Sequence, residues 1–468
     1  MKNERDEAFR EESLNGNMWR LILRVGTPLA FFMMLNSLYG ILDSLMAAHI
    51  NSEAVSAVAY LTNINELINA AATALAVGGS IKIATAYGKG DDELVSREVS
   101  TVLAMAFGLG LLILCASPFS AGILKLAGTP AELIPISTAY FAITLATTAF
   151  MFFNTVYIAI ERSRGNTKRI FILNTVSMLI KLGLSALFIY VWNKDVTFMA
   201  VASLVSQLFL FGFGLYNVTR KDTAFRFSFR RITMKAALLK PLSKISVPIF
   251  VEKSFYAAGK IIVSSMCSFY GVLAVGAMGT SNKVTGLFNS PETGIQDGSA
   301  ALVSQNIGAG NYQRALEIVK RTFAVLFVYA LIATAACLAV VGPASYLYAL
   351  TGDGLNTEFR DMIRKVLIYE AAGTMIPWSF YAAALTFIYA TGNTKQLMII
   401  NFIRLFVFRI GLFWLLQRYT SMDVSAAGLV MVVSNAGGSL LGCLFAAHDI
   451  RVYCREYGVS FFGKRRAS

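Results

Sequence analysis

The sequence predicts an all-α integral membrane protein, with twelve transmembrane helices arranged as two parallel-repeat six-helix lobes around a central cavity. Three observations carry that prediction. Hydrophobic residues make up 56% of the 468 residues and charged residues 15%, against about 25% charged in an ordinary soluble domain. The apolar residues fall in runs long enough to cross a bilayer, which takes about 20 residues because every backbone group in hydrocarbon must be paired within its own helix. The second half of the chain also restates the first.

The predicted spans are 25–47, 56–80, 99–121, 134–158, 170–192, 197–218, 246–269, 275–302, 322–341, 364–389, 397–416 and 425–447. They leave no stretch for a folded soluble domain. Residues 1–24 form an N-terminal segment, 25–218 the first lobe, 219–245 a linker, 246–447 the second lobe and 448–468 a tail. The opening 24 residues are too polar for a signal-peptide core.

The net charge of +14 is unevenly spread. One set of connections holds Arg162, Arg164, Lys168 and Arg169, then the run from Arg220 to Lys244, then Arg314, Lys320 and Arg321. The tail Gly463-Lys464-Arg465-Arg466 joins that side, while the opposite loops carry little beyond Lys125, Lys194, Arg360 and Arg418. Lys and Arg are retained in cytoplasmic loops, so both termini are expected in the cytoplasm and the protein in a bacterial plasma membrane. This distribution accounts for the basic charge without a nucleic-acid partner.

A shift of 220 residues places Pro28 on Pro248, Ala54-Val55-Ser56-Ala57 on Ala274-Val275-Gly276-Ala277, and Gly78 on Gly298. It also places Gly88-Lys89-Gly90-Asp91 on Gly308-Ala309-Gly310-Asn311. Seven residues more, and Gly165-Asn166-Thr167-Lys168 falls on Gly392-Asn393-Thr394-Lys395, with Asn174 on Asn401. Each repeat holds six spans, an even number, so both halves face the same way, as in transporters whose bundles rock about a central site.

Other chemistries lack their residues. Five cysteines show no ligand spacing, and the two histidines, His49 and His448, stand alone. Neither a metal site, a disulfide frame nor a membrane-enzyme centre is indicated. No phosphate-binding Walker sequence is present, which excludes ATP-driven pumping by this chain alone. Nothing repeats as a pore ring.

An early Pro followed by Asn36-x2-Tyr39-x3-Asp43 marks the first span, and Gly88-Lys89-Gly90-Asp91 follows the second. Gly165-Asn166-Thr167-Lys168 precedes the fifth, and Pro248-x3-Glu252 lies in the seventh. The run Val303-Ser304-Gln305-Asn306-Ile307-Gly308-Ala309-Gly310-Asn311 follows the eighth. With these motifs the chain resembles the multidrug and toxic compound extrusion (MATE) family across all twelve spans. The resemblance implies two six-helix lobes forming a V, and export of drugs or metabolites driven by inward flow of protons or sodium ions, with no other cofactor. It also implies that a monomer suffices. Lipid-linked oligosaccharide flippases of the same superfamily supply the alternative: a flippase or exporter for an anionic or lipid-linked substrate.

Ionisable residues inside spans cost roughly 2.5–3.5 kcal/mol each on insertion scales and are functional candidates by default. Asn36, Tyr39 and Asp43 form one helical stripe. Burial favours the neutral form of a carboxylate, which suits Asp43 to proton coupling, and one bacterial branch of the family couples through the matching Asp. That branch also has an Asn and an Asp in the fifth span, where this chain reads Lys181 and Ser185. Lys181 needs a counter-charge, and Asp43 is the obvious one, so a standing ion pair is the competing reading. Glu252 matches the coupling carboxylate of the other branch, whose companion Asp is replaced here by about Phe380. Glu252 with Lys253, Tyr256 and Lys260 also reads as a structural network. Span 8 is expected to break at Pro291, and its Asn282, Lys283, Glu292, Gln296 and Asp297 to line a cavity. Arg404 and Arg409 in span 11 take a structural reading.

The candidate set is therefore Asp43 and Glu252 for ion coupling, and Asn36, Tyr39, Lys181, Tyr256, Lys260, Asn282, Glu292 and Asp297 for the substrate cavity. Acidic and basic groups nearly balance within the spans. A cation exporter's cavity should be net acidic, so anionic and zwitterionic cargoes stand beside organic cations, with membrane lipid as the other partner.

Overall fold

The computed structural model describes residues 4–50, 52–126, 134–195, 197–220, 223–351 and 354–462, so the basic tail at Gly463-Lys464-Arg465-Arg466 lies outside the described residues. Every predicted span is helical. A short polar helix, α1 (Glu4–Asn15), precedes α2 (Met18–Ile50), α3 (Ser52–Lys89) and α4 (Asp92–Ala116). After α5 (Ser120–Leu126) come α6 (Ile134–Ser163), α7 (Thr167–Ala186) and α8 (Thr197–Thr219). The second half holds α9 (Ala236–Cys267), α10 (Val272–Gly308), α11 (Tyr312–Ala349), α12 (Thr357–Gly373), α13 (Met375–Thr391), α14 (Thr394–Phe402), α15 (Leu412–Tyr419) and α16 (Ser425–Tyr457). One small antiparallel bridge, β1 (Leu350–Thr351) with β2 (Gly354–Leu355), sets Leu350 opposite Leu355.

Among the described residues, nine helical stretches are long and apolar enough to cross a membrane, or ten with the bent pair α12–α13. That pair turns by 48° at its break. α9 and α10, at 32 and 37 residues, complete the dozen by length. They fall short only in apolarity, because they hold the polar residues singled out above. Helices α14 and α15 are joined by a π-helical stretch, Ile403–Gly411, and α7 ends in a π turn, Leu187–Val191.

The internal repeat is visible in the backbone. Gly90, Gly165, Gly310 and Gly392 all have φ between +75° and +78°, a conformation that favours glycine. Each is followed by an Asp or Asn that starts the next helix: Asp91, Asn166, Asn311 and Asn393. In each turn that residue's N–H reaches back five residues, as in Asn166 N to Glu161 O at 2.9 Å and Asn393 N to Ile388 O at 3.1 Å. One αL residue ends a helix, satisfies its last carbonyls and sends the chain back antiparallel. The same device serves four times, at the positions the sequence offset pairs.

Two compact units emerge, one of residues 1–15 and 38–250, the other of 16–37 and 251–468. In the first unit α1 docks on three connections. Asp6 accepts from Arg164 Nε at 2.6 Å and Thr223 Oγ1 at 2.9 Å, and its carbonyl accepts from the Tyr87 hydroxyl. Arg164 also meets Glu161, 3.5 Å away. Burial pulls the Arg164 guanidinium down and these two carboxylates more than offset it, for a net upward shift. Phe9 lies over Gly165, where a Cβ would collide with its ring.

In the second unit the first half of α2 lies flush against α10. A Cβ on Gly294 would come within 2.6 Å of the Leu29 and Ala30 backbone, and Ser37 Oγ meets Ser290 Oγ at 2.5 Å. Span 8 does not break at Pro291: α10 runs unbroken from Val272 to Gly308. Proline removes one N–H and disturbs the carbonyls of the preceding turn, and the Tyr329 hydroxyl donates to one of them, Phe288 O, at 2.8 Å. The unbroken helix is thus supported from α11.

Candidate transport centres

Two groups of ionisable residues form centres within the spans, one in each compact unit. In the first unit, Tyr39 and Asp43 are one turn apart on α2, so their side chains share a face. The Tyr39 hydroxyl donates to Asp43 Oδ1 at 3.3 Å, and Lys181 Nζ from α7 lies 3.3 Å from the same oxygen. The ammonium also stands 4.2 Å above the Tyr39 ring, where the ring's quadrupole attracts a cation. The side chains of Lys181 and Asp43 remain 14% and 23% exposed, so the pair can be reached from outside the packing.

The second centre is larger. Glu252 on α9 is buried; its Oε1 accepts from Asn401 Nδ2 of α14 at 2.9 Å and its Oε2 is 3.5 Å from Lys253 Nζ. Beside it, the Arg404 guanidinium carbon lies 5.7, 5.2 and 5.6 Å from the ring centres of Tyr256, Trp378 and Tyr381. Arg409 Nε donates to Ser434 Oγ at 3.2 Å, and that hydroxyl donates to Arg404 O. Lys260 Nζ stands 5.8 Å from the Tyr256 ring. Glycines make room for this cluster: the stem of Arg404 crosses Gly438, and Leu405 fills the space above Gly259.

The structure thus brings together Asp43, Tyr39 and Lys181 in one place, and Glu252, Tyr256 and Lys260 in another. Asn36 and Asn282 are exposed. Asp297 is half-buried and accepts from Gln296 at 3.4 Å. Glu292 is fully buried with no hydrogen bond to either carboxylate oxygen. Sequence reasoning passed over Asn401, Trp378 and the placement of the two arginines. The repeat did pair Asn174 with Asn401, which was a usable signal. It also left Glu370 aside, which the fold buries with Oε2 accepting from Thr285 Oγ1 at 3.0 Å. Among the described residues no group of His, Cys, Asp and Glu could hold a metal ion.

Comparison with known proteins agrees with this architecture. The MatE family model matches residues 28–187 and 248–415, one match per repeat. The chain is 26% identical over 330 residues to the probable multidrug resistance protein YoeA of Bacillus subtilis, covering 68% of this chain and 71% of that one. It is 20% identical over 431 residues to the probable multidrug resistance protein NorM of Thermotoga maritima, with 91% of each covered. A solved outward-facing structure of a multidrug resistance MATE family transporter of the MOP superfamily superposes with a TM-score of 0.88. It has 20% identity and covers 95% of this chain and 98% of that one. Two family matches in register with the repeat, on a twelve-helix membrane fold, lead to one conclusion: the chain belongs to the MatE family and is an integral membrane efflux transporter, not an enzyme.

Proposed function

We propose that the protein exports drugs or small metabolites by alternating access, in exchange for protons or sodium ions entering the cell. The observation that carries this reading is the Asp43–Lys181 pair: an ion pair within spanning helices, still partly exposed, that an entering cation or a charged cargo can break. A coupling ion drives a conformational change only by favouring one state. Protonation of Asp43 removes its attraction for Lys181 and frees α2 from α7, and a sodium ion would compete with Lys181 for the same oxygens. Glu252 is the second coupling carboxylate, held by Asn401 while it waits for its ion.

In this reading residues 25–218 and 246–447 act as lobes joined by the linker 219–245, in a bacterial plasma membrane, with both termini cytoplasmic and the monomer as the working unit. Tyr39, Lys181, Tyr256 and Lys260 are the cavity groups nearest the two centres. A second reading, an anionic or zwitterionic cargo that includes lipid-linked ones, is favoured by the cationic group of Arg404, Arg409, Lys253 and Lys260.

The test is substrate efflux in proteoliposomes with imposed proton and then sodium gradients, comparing wild type with Asp43→Asn and Glu252→Gln. Gradient-driven efflux should fall about tenfold or more in at least one variant, in the usual range of coupling free energies. Wild-type rates in both would end the carboxylate-coupling reading.

A further inference from the structure

The second centre carries more cations than anions: Arg404, Arg409, Lys253 and Lys260 against Glu252 and Glu370. Arg404 and Arg409 are 5% and 4% exposed, yet among the described residues neither lies within ion-pair distance of a carboxylate. Each of the two nearby acids uses one oxygen, Glu252 Oε1 with Asn401 and Glu370 Oε2 with Thr285, while Glu252 Oε2, 3.5 Å from Lys253 Nζ, and Glu370 Oε1 are buried without a hydrogen bond. The Arg404 guanidinium stands over three aromatic faces, and among the described residues the buried indole Nε1 of Trp378 has no hydrogen-bond partner. Guanidinium and indole N–H groups can only donate. A buried cation outside ion-pair distance of an anion is expensive in a protein interior, more so between spanning helices. The positive excess of this cluster is what a further anion would balance.

The backbone is shaped for it. Residues 404 and 409 are five apart, which on an α-helix of 3.6 residues per turn would set them about 140° apart. The stretch Ile403–Gly411 is π-helical, hydrogen-bonded i to i+5, so residues five apart come to one side. Both arginines are buried. π-Helical turns are rare and recur at functional sites.

We infer that Arg404, Arg409 and Trp378 form a binding site for an oxyanion, the carboxylate or phosphate group of an organic cargo, with Tyr256 and Tyr381 flanking its unsaturated body. This rests on the transporter reading and narrows its substrate class. Arg pairs with such groups through two parallel hydrogen bonds. Lys260, exposed and beside the Tyr256 ring, adds positive charge near this site.

The test is intrinsic tryptophan fluorescence of the full chain in phosphatidylcholine nanodiscs, titrated with benzoate, 1-naphthoate and inorganic phosphate, with chloride as the ionic-strength control. Trp378→Phe identifies the reporting indole among the four tryptophans. A saturable signal is expected with at least one oxyanion. It should be lost in Trp378→Phe, and the apparent Kd should rise about 10- to 100-fold in Arg404→Gln, in line with loss of a charge-assisted hydrogen bond. Arg404→Lys keeps the charge and should recover part of the affinity; it also serves where the Gln variant fails to fold. Repeating the titration in phosphatidylglycerol nanodiscs separates sources, since lipid phosphate occupying the site would weaken soluble-anion binding there. An unchanged Kd in both Arg404 variants, or no saturable signal in either lipid while gradient-driven efflux of a cationic dye proceeds, would overturn the anion site and leave the transporter reading standing.

Discussion

The two halves of the molecule keep the same turns and differ in their interior chemistry. Gly90 and Gly310 adopt one backbone conformation, as do Gly165 and Gly392. The charges follow no such rule. At the offsets that superimpose the turns, Asp43 falls on Val263, Lys181 on Phe408, Arg404 on Ser177 and Glu252 on Phe32. Corresponding helices carry the ionic groups in both halves, at positions that do not correspond. The duplicated part is what makes helices reverse direction, and the unduplicated part is what a membrane penalises most. A charge in hydrocarbon is retained where it has a task, so the difference argues for separate tasks: a compact ion pair in one unit, an unbalanced cationic cluster in the other.

That contrast can be broken by charge removal, where the largest effects are expected. Lys181→Met strands Asp43 beside an empty partner position and should lower stability by about 2–4 kcal/mol, with Asp43→Asn/Lys181→Met recovering most of it. Lys253→Met in the other unit should lose under about 1 kcal/mol, because Lys253 is 38% exposed and Glu252 keeps Asn401. Thermal unfolding in detergent reads both, and equal losses would mean the two centres are alike.

The shared turns supply a sharper and smaller test. Gly310→Ala meets no neighbouring atom and should show only the left-handed backbone penalty, about 1–2 kcal/mol. Gly165→Ala carries the same penalty and must also displace Phe9, so it should lose more and release α1. Limited proteolysis ahead of residue 16 would report that release.

The smallest effect lies at a connection. Hydrogen bonds from Lys365, then Ser425, hold the Asp423 carboxyl down to about 2. Because the folded value lies below the ordinary range near 3.9, its contribution is complete above about pH 4 and is lost as pH falls towards 2. Both partners are half exposed, which limits the contribution to a few tenths of a kcal/mol. Wild type should therefore lose slightly more melting temperature than Asp423→Asn between pH 5 and pH 3.

The spans, those of α9 and α10 included, were legible because hydrocarbon enforces long apolar runs. Asp43 and Lys181 could be paired from sequence because a Lys within a span needs a counter-charge and the family resemblance puts both helices in one lobe. The π-helical stretch had no such signature: Ile403–Gly411 reads as ordinary apolar helix, and the extra residue per turn is set by tertiary packing around Gly259, Gly437 and Gly438. Arg404 and Arg409 therefore took only a structural reading. The continuity of α10 through Pro291 was equally hidden, resting on a tyrosine from another helix.

The docked N-terminal helix has a practical corollary for anyone making this protein. Phe9 and Ser13 are buried and Asp6 pairs with Arg164, so trimming the chain to its hydrophobic part discards a helix that the first unit packs against. Affinity tags at that end would load a helix whose seat is shared by three connections, and a shortened product could be purified in good yield yet describe a different transporter.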